Sequence, residues 1–243
     1  MPTMDTDAQH SDTLYTDVQH TDTPYTEAPG ADAPPTDTLH APLLDGLANT
    51  RLRSAPWRYA WLDRAVAPAF AAGLAAAFPS DRLDRLDRSE RRTGDKTYRL
   101  GTHGIDLGDR AQWPGGPWPQ LLATLACPAY TTAVARLTGV DLSGARLAVS
   151  LWEYGSGDWL APHVDKADKL VTQILYLSAG WTEEHGGRLL VLDGPDTART
   201  VAAHAPLPGS SAVLVRSRTS WHAVESPASA APPRRSLTAT FLR

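Results

Sequence analysis

His163-Val164-Asp165 places an imidazole and a carboxylate two residues apart. In an extended strand, residues i and i+2 point to the same face, so both side chains can reach one metal ion. A third ligand has to come from elsewhere. His222, within the strand-like stretch Ser220-Trp221-His222-Ala223-Val224, is the candidate. Two imidazoles and a carboxylate on one face of an octahedron leave three positions open. That arrangement suits a non-haem Fe(II) that takes up a chelating 2-oxo acid and then dioxygen. An H-x-D triplet also arises by chance, so the competing reading is a surface triplet and an unrelated core histidine.

Beyond His222 lies Arg234-Arg235-Ser236-Leu237-Thr238. Arg234, Ser236 and Thr238 alternate with Leu237, Ala239 and Phe241. If the apolar set packs against helices, Arg234 points into the sheet's other side with Ser236 and Thr238. A buried guanidinium needs an anionic partner. The far carboxylate of 2-oxoglutarate, gripped at two points, is one. By the same parity Arg235 faces the other way. The alternative is an ordinary surface arginine.

Several further stretches join these into an ordered set. They are Tyr154-Gly155-Ser156-Gly157-Asp158-Trp159-Leu160-Ala161-Pro162-His163-Val164-Asp165, Thr172-Gln173-Ile174-Leu175-Tyr176-Leu177-Ser178 and Gly186-Gly187-Arg188-Leu189. With Trp221-His222-Ala223-Val224 and Arg234-x-Ser236-Leu237-Thr238, residues 146–243 resemble the catalytic domain of the prolyl-hydroxylase-like branch of iron(II)/2-oxoglutarate dioxygenases. The resemblance implies Fe(II) on His163, Asp165 and His222. It implies 2-oxoglutarate on Arg234 with Tyr176, and Tyr154 beside them, with ascorbate as a candidate reductant. For both tyrosines, a core ring with its hydroxyl bonded internally is the rival reading. It implies oxidation of a substrate by dioxygen, with release of succinate and CO2. Leu160 departs from members that carry an aromatic residue there. Asp165 is intact, whereas relatives that halogenate have a small residue in its place, so hydroxylation is implied.

Elements must hold these residues. From Arg146 the chain becomes short, β-branched and alternating, with Gly, Pro and Asp between segments. Strands are expected near 146–154, 160–165, 170–178, 187–193, 198–203, 211–216, 219–224 and 235–242. About eight strands with no long helix between them suggest a double-stranded β-helix, or jelly roll. Ahead of it, Asp63 can cap a helix running to Phe78, with Val66, Phe70, Leu74 and Phe78 on one stripe. Residues 82–99 are dense in charge and read as a solvated helix end and loop. The basic run Arg91, Arg92, Lys96 and Arg99 reads as a solvated face, with a substrate lid for an anionic group as the alternative. A helical zone over 118–137 should split at Pro128. The fold expected is α+β: N-terminal helices buttressing the jelly roll, with a helical part over 42–145 and the catalytic core over 146–243.

Residues 1–41 differ. They hold a degenerate ten-residue repeat (DAQHSDTLYT, DVQHTDTPYT, EAPGADAPPT) that is acidic, proline-bearing and poor in aliphatic side chains. Such a segment cannot bury enough surface to offset its ordering entropy and reads as a disordered tail. Its histidines, and His103, His185 and His204, have no motif support. Eight tryptophans read mainly as packing, with Trp152, Trp159 and Trp221 near enough to the motifs to line a pocket. Apolar residues are 42% and charged residues 21% of the 243-residue chain, enough for a core over most of its length. A net charge of −4 gives no electrostatic case for nucleic acid or an anionic membrane. Cys127 is the sole cysteine and reads as a small core residue, which points to a reducing compartment. No apolar run is long enough to span a bilayer, and the N-terminus lacks a basic and then apolar leader. The expectation is a soluble cytoplasmic enzyme acting on a small molecule, such as an amino acid or natural-product intermediate. A peptidyl hydroxylase and a non-catalytic metal-binding jelly-roll module are the alternatives, and the oligomeric state stays open.

Overall fold

The computed structural model describes residues 40–89 and 96–243. The decapeptide repeat, Arg91 and Arg92 lie outside them. Eleven strands among the described residues form one curled antiparallel sheet. Eight of them come from the C-terminal half, as the alternation there predicts. They are β4 (Arg146–Tyr154), β5 (Trp159–His163), β6 (Lys169–Tyr176), β7 (Leu189–Leu192), β8 (Thr200–His204), β9 (Ser211–Val215), β10 (His222–Val224) and β11 (Arg234–Leu242). Three more precede them: β1 (Tyr59–Leu62), β2 (Asp84–Arg88) and β3 (Tyr98–Ile105). The path runs β1-β9-β6-β11-β4-β3-β5-β10-β7-β8, with β2 paired to β3. This is a jelly-roll α+β fold.

Period-two alternation gives the sheet two apolar faces. Val149, Leu151, Val171, Leu175, Val213, Leu237, Ala239 and Phe241 share one buried cluster with the helices. Those helices are α1 (His40–Asn49), α2 (Pro68–Ala76), α3 (Trp118–Ala126) and α4 (Pro128–Thr138). Tyr154, Tyr176, Ala212, Leu214, Leu189, Val191 and Val224 point into the curl, where Trp57, Tyr59, Tyr98 and Leu100 join them. Under the helices one polar chain is fully satisfied. Tyr130 Oη donates to Gln173 Oε1 at 2.7 Å, and Gln173 Nε2 donates to Ser211 Oγ at 2.9 Å.

The N-terminal part departs from expectation in three places. The helix expected from Asp63 to Phe78 spans only Pro68–Ala76, and Asp63 caps nothing there. Pro68 disfavours helical backbone in the residue before it, so Ala67 stays extended (φ −60°, ψ 140°) and the helix starts at the proline. The charge-dense stretch is not a helix end. Asp84–Arg88 is a strand, with Asp87 accepting from Arg99 Nε across the β2–β3 pair at 2.8 Å. A charged edge strand is how a sheet discourages further pairing. The helical split is at Pro128, which opens α4. Cys127, expected in the core, is half-buried in the link before it.

Strand β1 closes the curl. It pairs with β9 on one side, and its other edge, bridged at Tyr59 by Arg53, meets β8 and β7 through rings rather than backbone bonds. Trp61 stacks on His204 with centroids 4.4 Å apart, and Tyr59 lies 6.0 Å from the same ring. Trp57 Nε1 donates to the Leu192 carbonyl at 3.1 Å. The aromatic alternation Trp57-x-Tyr59-x-Trp61 puts three rings on one side, facing inward.

Candidate metal and co-substrate site

His163 ends β5 and His222 opens β10, and the two are direct cross-strand partners. Their rings sit 4.2 Å apart, centroid to centroid. Asp165 lies two residues beyond β5, in the link to β6, so the strand expected over 160–165 stops short of it. His163 Nε2 is 3.9 Å from Asp165 Oδ1. All three ligand atoms fall within 4.8 Å of one another, and all three residues are buried. Among the described residues this is the one such cluster.

The donor chemistry fits a metal. Each Nδ1 lies 2.9 Å from a backbone carbonyl two residues back, Ala161 for His163 and Ser220 for His222. A carbonyl only accepts, so each Nδ1 carries the proton and each Nε2 keeps its lone pair for a metal. Burial pushes the His163 imidazole well below its ordinary pKa, and the neighbouring His222 and Lys96 act the same way. Burial also lowers His222. For Asp165, burial alone would raise the pKa. The Lys169 ammonium, which donates to it, leads the groups that outweigh burial and hold the carboxyl well below the usual carboxylate range. Two neutral imidazoles and one carboxylate are the protonation states that ligation needs.

Arg234 opens β11 opposite Tyr154 and is 2% exposed. Its Nε donates to the Gly187 carbonyl at 2.7 Å. Its guanidinium carbon lies 5.0 Å from the Tyr154 ring centroid and 5.1 Å from that of Tyr176. No carboxylate among the described residues forms an ion pair with it. The Tyr176 hydroxyl is buried and makes no hydrogen bond of ordinary geometry. Burial pushes it up to about 12, with the Arg234 charge opposing. Burial raises Tyr154 as well. A buried cation with no anionic partner among the described residues, beside a buried phenol with no acceptor, is the chemistry that a carboxylate would complete.

Arg235 goes the other way. It donates to Glu153 Oε2 at 3.0 Å and Ser80 Oγ at 2.9 Å and lies 5.0 Å above the Phe78 ring, on the helix side.

Three neighbours, Trp57, Lys169 and Trp181, escaped the reading of the sequence. Trp57 lies 6.2 Å from the His222 ring, and the W-x-Y-x-W alternation could have placed it. Lys169 donates to Asp165. Trp181 and Gly187 pack against Arg234: a Cβ on Gly187, at φ +60°, would sit 3.0 Å from both Arg234 Cδ and Trp181 Cζ2. Gly187→Ala is therefore expected to displace the guanidinium and raise the 2-oxoglutarate concentration needed for half-maximal turnover. An unchanged requirement would show that the contact relaxes without moving Arg234. Of the three tryptophans singled out, Trp152 packs into the curl and Trp159 carries Arg99 above its ring at 5.2 Å. Trp221 packs instead with Leu190, Leu192 and Ala223 in a separate cluster.

Residues 149–242 match the sequence model of the 2OG-Fe(II) oxygenase superfamily. The matched segment carries His163, Asp165, His222, Tyr154, Tyr176 and Arg234. No curated protein sequence matches the chain. Similar folds occur in a Pseudomonas putida prolyl-4-hydroxylase, with TM-score 0.56 and 20% identity over 84% of this chain and 98% of that one. A Trichoplax adhaerens prolyl hydroxylase in complex with a hypoxia inducible factor peptide fragment gives TM-score 0.55 and 14% identity, over 84% and 89%. The carbocyclase SnoK from nogalamycin biosynthesis gives 0.51 and 12%, over 76% and 79%. Among the described residues no helix is long and apolar enough to cross a membrane.

Proposed function

We propose that the protein is an Fe(II)- and 2-oxoglutarate-dependent hydroxylase of a small molecule. In this reading His163, Asp165 and His222 hold the iron, and Arg234, Tyr176 and Tyr154 hold 2-oxoglutarate. The observation that carries it is the pairing of two incomplete sites inside one curl. One is a buried triad with two free Nε2 lone pairs, and the other a buried guanidinium with no acidic partner among the described residues. Iron held by the triad would couple oxidative decarboxylation of 2-oxoglutarate to insertion of one oxygen atom into a substrate C–H bond.

The chain's own residues do the rest. Arg234 binds the far carboxylate and the Tyr176 hydroxyl donates to it, which fixes the co-substrate's orientation. The Nδ1 bonds to Ala161 and Ser220 fix both imidazoles before any metal arrives. The aromatic lining from Trp57, Tyr59, Tyr98 and Tyr154 excludes water from the reacting groups.

A compact substrate suits the triad, which is buried and has the Trp57 ring 6.2 Å from that of His222. The second reading is a peptidyl hydroxylase, for which β2, paired with β3 among the described residues, offers a charged flank to a substrate chain. Succinate release with iron and 2-oxoglutarate, run across amino acids, polycyclic intermediates and proline peptides, separates the two. Coupled turnover with peptides alone would sink the small-molecule reading. Because Asp165 fills the carboxylate position, mass spectrometry in chloride buffer should show a product heavier by one oxygen atom. A chlorinated product would overturn the assignment of Asp165 as a ligand.

A further inference from the structure

Asp165 is held differently from its two partners. His163 and His222 are strand residues paired with each other, so the sheet itself sets their positions. Asp165 sits in the link between β5 and β6, and no sheet ladder includes it. Two cations hold it instead. Lys169, the first residue of β6, donates from Nζ to Asp165 Oδ1 at 2.7 Å, with the two side chains 12% and 8% exposed. Arg216, just past β9, donates from Nε to the Asp165 carbonyl at 3.3 Å, and its own backbone N–H bonds the Leu170 carbonyl at 3.1 Å. The link is thus tied to β6 and β9 at both its side chain and its backbone.

We infer that Lys169 is a positioning residue that holds the Asp165 carboxylate in place for the metal. Lys169 bonds Oδ1, the oxygen that stands 3.9 Å from His163 Nε2. A charge-assisted bond is short and directional, so it sets where that carboxylate lies relative to the two imidazoles. The same bond fixes the side-chain torsions of the one triad member that the sheet does not position.

The inference rests on the assignment of Asp165 as a metal ligand, and it opposes simple electrostatics. An ammonium group beside a dication repels it, so charge alone predicts that removing Lys169 tightens metal binding. Positioning predicts the reverse. The test is a Co(II) titration of the full chain without 2-oxoglutarate, followed by tryptophan fluorescence, with metal-free melting recorded for each variant. Lys169→Met should weaken Co(II) binding on the order of 10–100-fold, the usual cost of losing an outer partner of a metal ligand. Lys169→Arg, which keeps a charged donor, should recover most of it. If Lys169→Met is too unstable to titrate, Lys169→Gln, neutral and shorter, should show the same weakening. Binding as tight as wild type, or tighter, in either neutral variant overturns the inference. Wild-type binding that Asp165→Ala abolishes and Lys169→Met leaves intact overturns it alone. A wild-type chain that binds no Co(II) overturns the ligand assignment with it.

Discussion

His222→Ala and His163→Ala should each lose Fe(II) binding and turnover to background while keeping the far-ultraviolet signature of the folded sheet. Each variant removes one of two imidazoles whose Nδ1–H is already bonded to its own backbone, at Ser220 or Ala161. The lost group therefore has little structural work beyond a ring contact at 4.2 Å and, for His222, the neighbouring Trp57. Two remaining ligands cannot hold an open-sided divalent site against water, since octahedral selectivity comes from ligand number and geometry. The fold rests elsewhere, on the helix-facing cluster around Leu237, Ala239 and Phe241, which neither histidine touches. Trp57, beside His222, supplies the reporter: a paramagnetic metal should quench wild-type fluorescence and leave both variants unchanged. Near-normal turnover by either variant would show that the metal is held by other residues.

The candidate site was largely legible in the sequence because period-two alternation is unforgiving. A slip of one residue in β11 would exchange Arg234 for Arg235, and Leu237 for Thr238, so the apolar set alone fixes which arginine faces inward. The same alternation sets His163 opposite His222, whereas Asp165 lies past the end of β5 and reaches them from the link to β6. What the sequence hid lies where local pattern and tertiary partner disagree. Asp84–Arg88 reads as a solvated stretch by composition, and becomes a strand because Tyr98–Ile105 offers it an edge. Its charges stay exposed, so burial leaves no mark in the pattern. Trp57, Tyr59 and Trp61 do alternate, but the run is four residues of strand at most, and its partner, β9, lies some 150 residues away. Lys169 gives no sign at all. Four residues after Asp165 it is an unremarkable surface lysine by type, and only the turn between β5 and β6 folds it back onto the carboxylate.

Arg234→Ala and Arg235→Ala should separate binding from stability. Adjacent arginines on β11 point to opposite faces, and their partners differ in kind. Arg234 meets two rings and one carbonyl, with no carboxylate in reach among the described residues. Its missing partner is a ligand. Removing it deprives 2-oxoglutarate of a desolvated charged contact, on the order of 2–5 kcal/mol. At about 1.4 kcal/mol per tenfold, that is roughly a thirtyfold to few-thousandfold rise in the 2-oxoglutarate requirement. Metal binding in the absence of 2-oxoglutarate should change little. Arg235 has its partners already, in Glu153, Ser80 and the Ala75 carbonyl, and it lies over Phe78. Its removal takes the cation from the part-buried Glu153, which keeps the Ser80 hydroxyl as a donor, and loosens the strap between β4, β11 and the end of α2, at a cost of about 1–3 kcal/mol. Arg235→Ala should therefore melt earlier and yet need no more 2-oxoglutarate than wild type. Steady-state kinetics against 2-oxoglutarate, set beside thermal melts of both variants, reads the two effects separately. The opposite ranking, with Arg235→Ala raising the requirement and Arg234→Ala only lowering the melting temperature, would mean that the co-substrate is held from the helix side of the sheet.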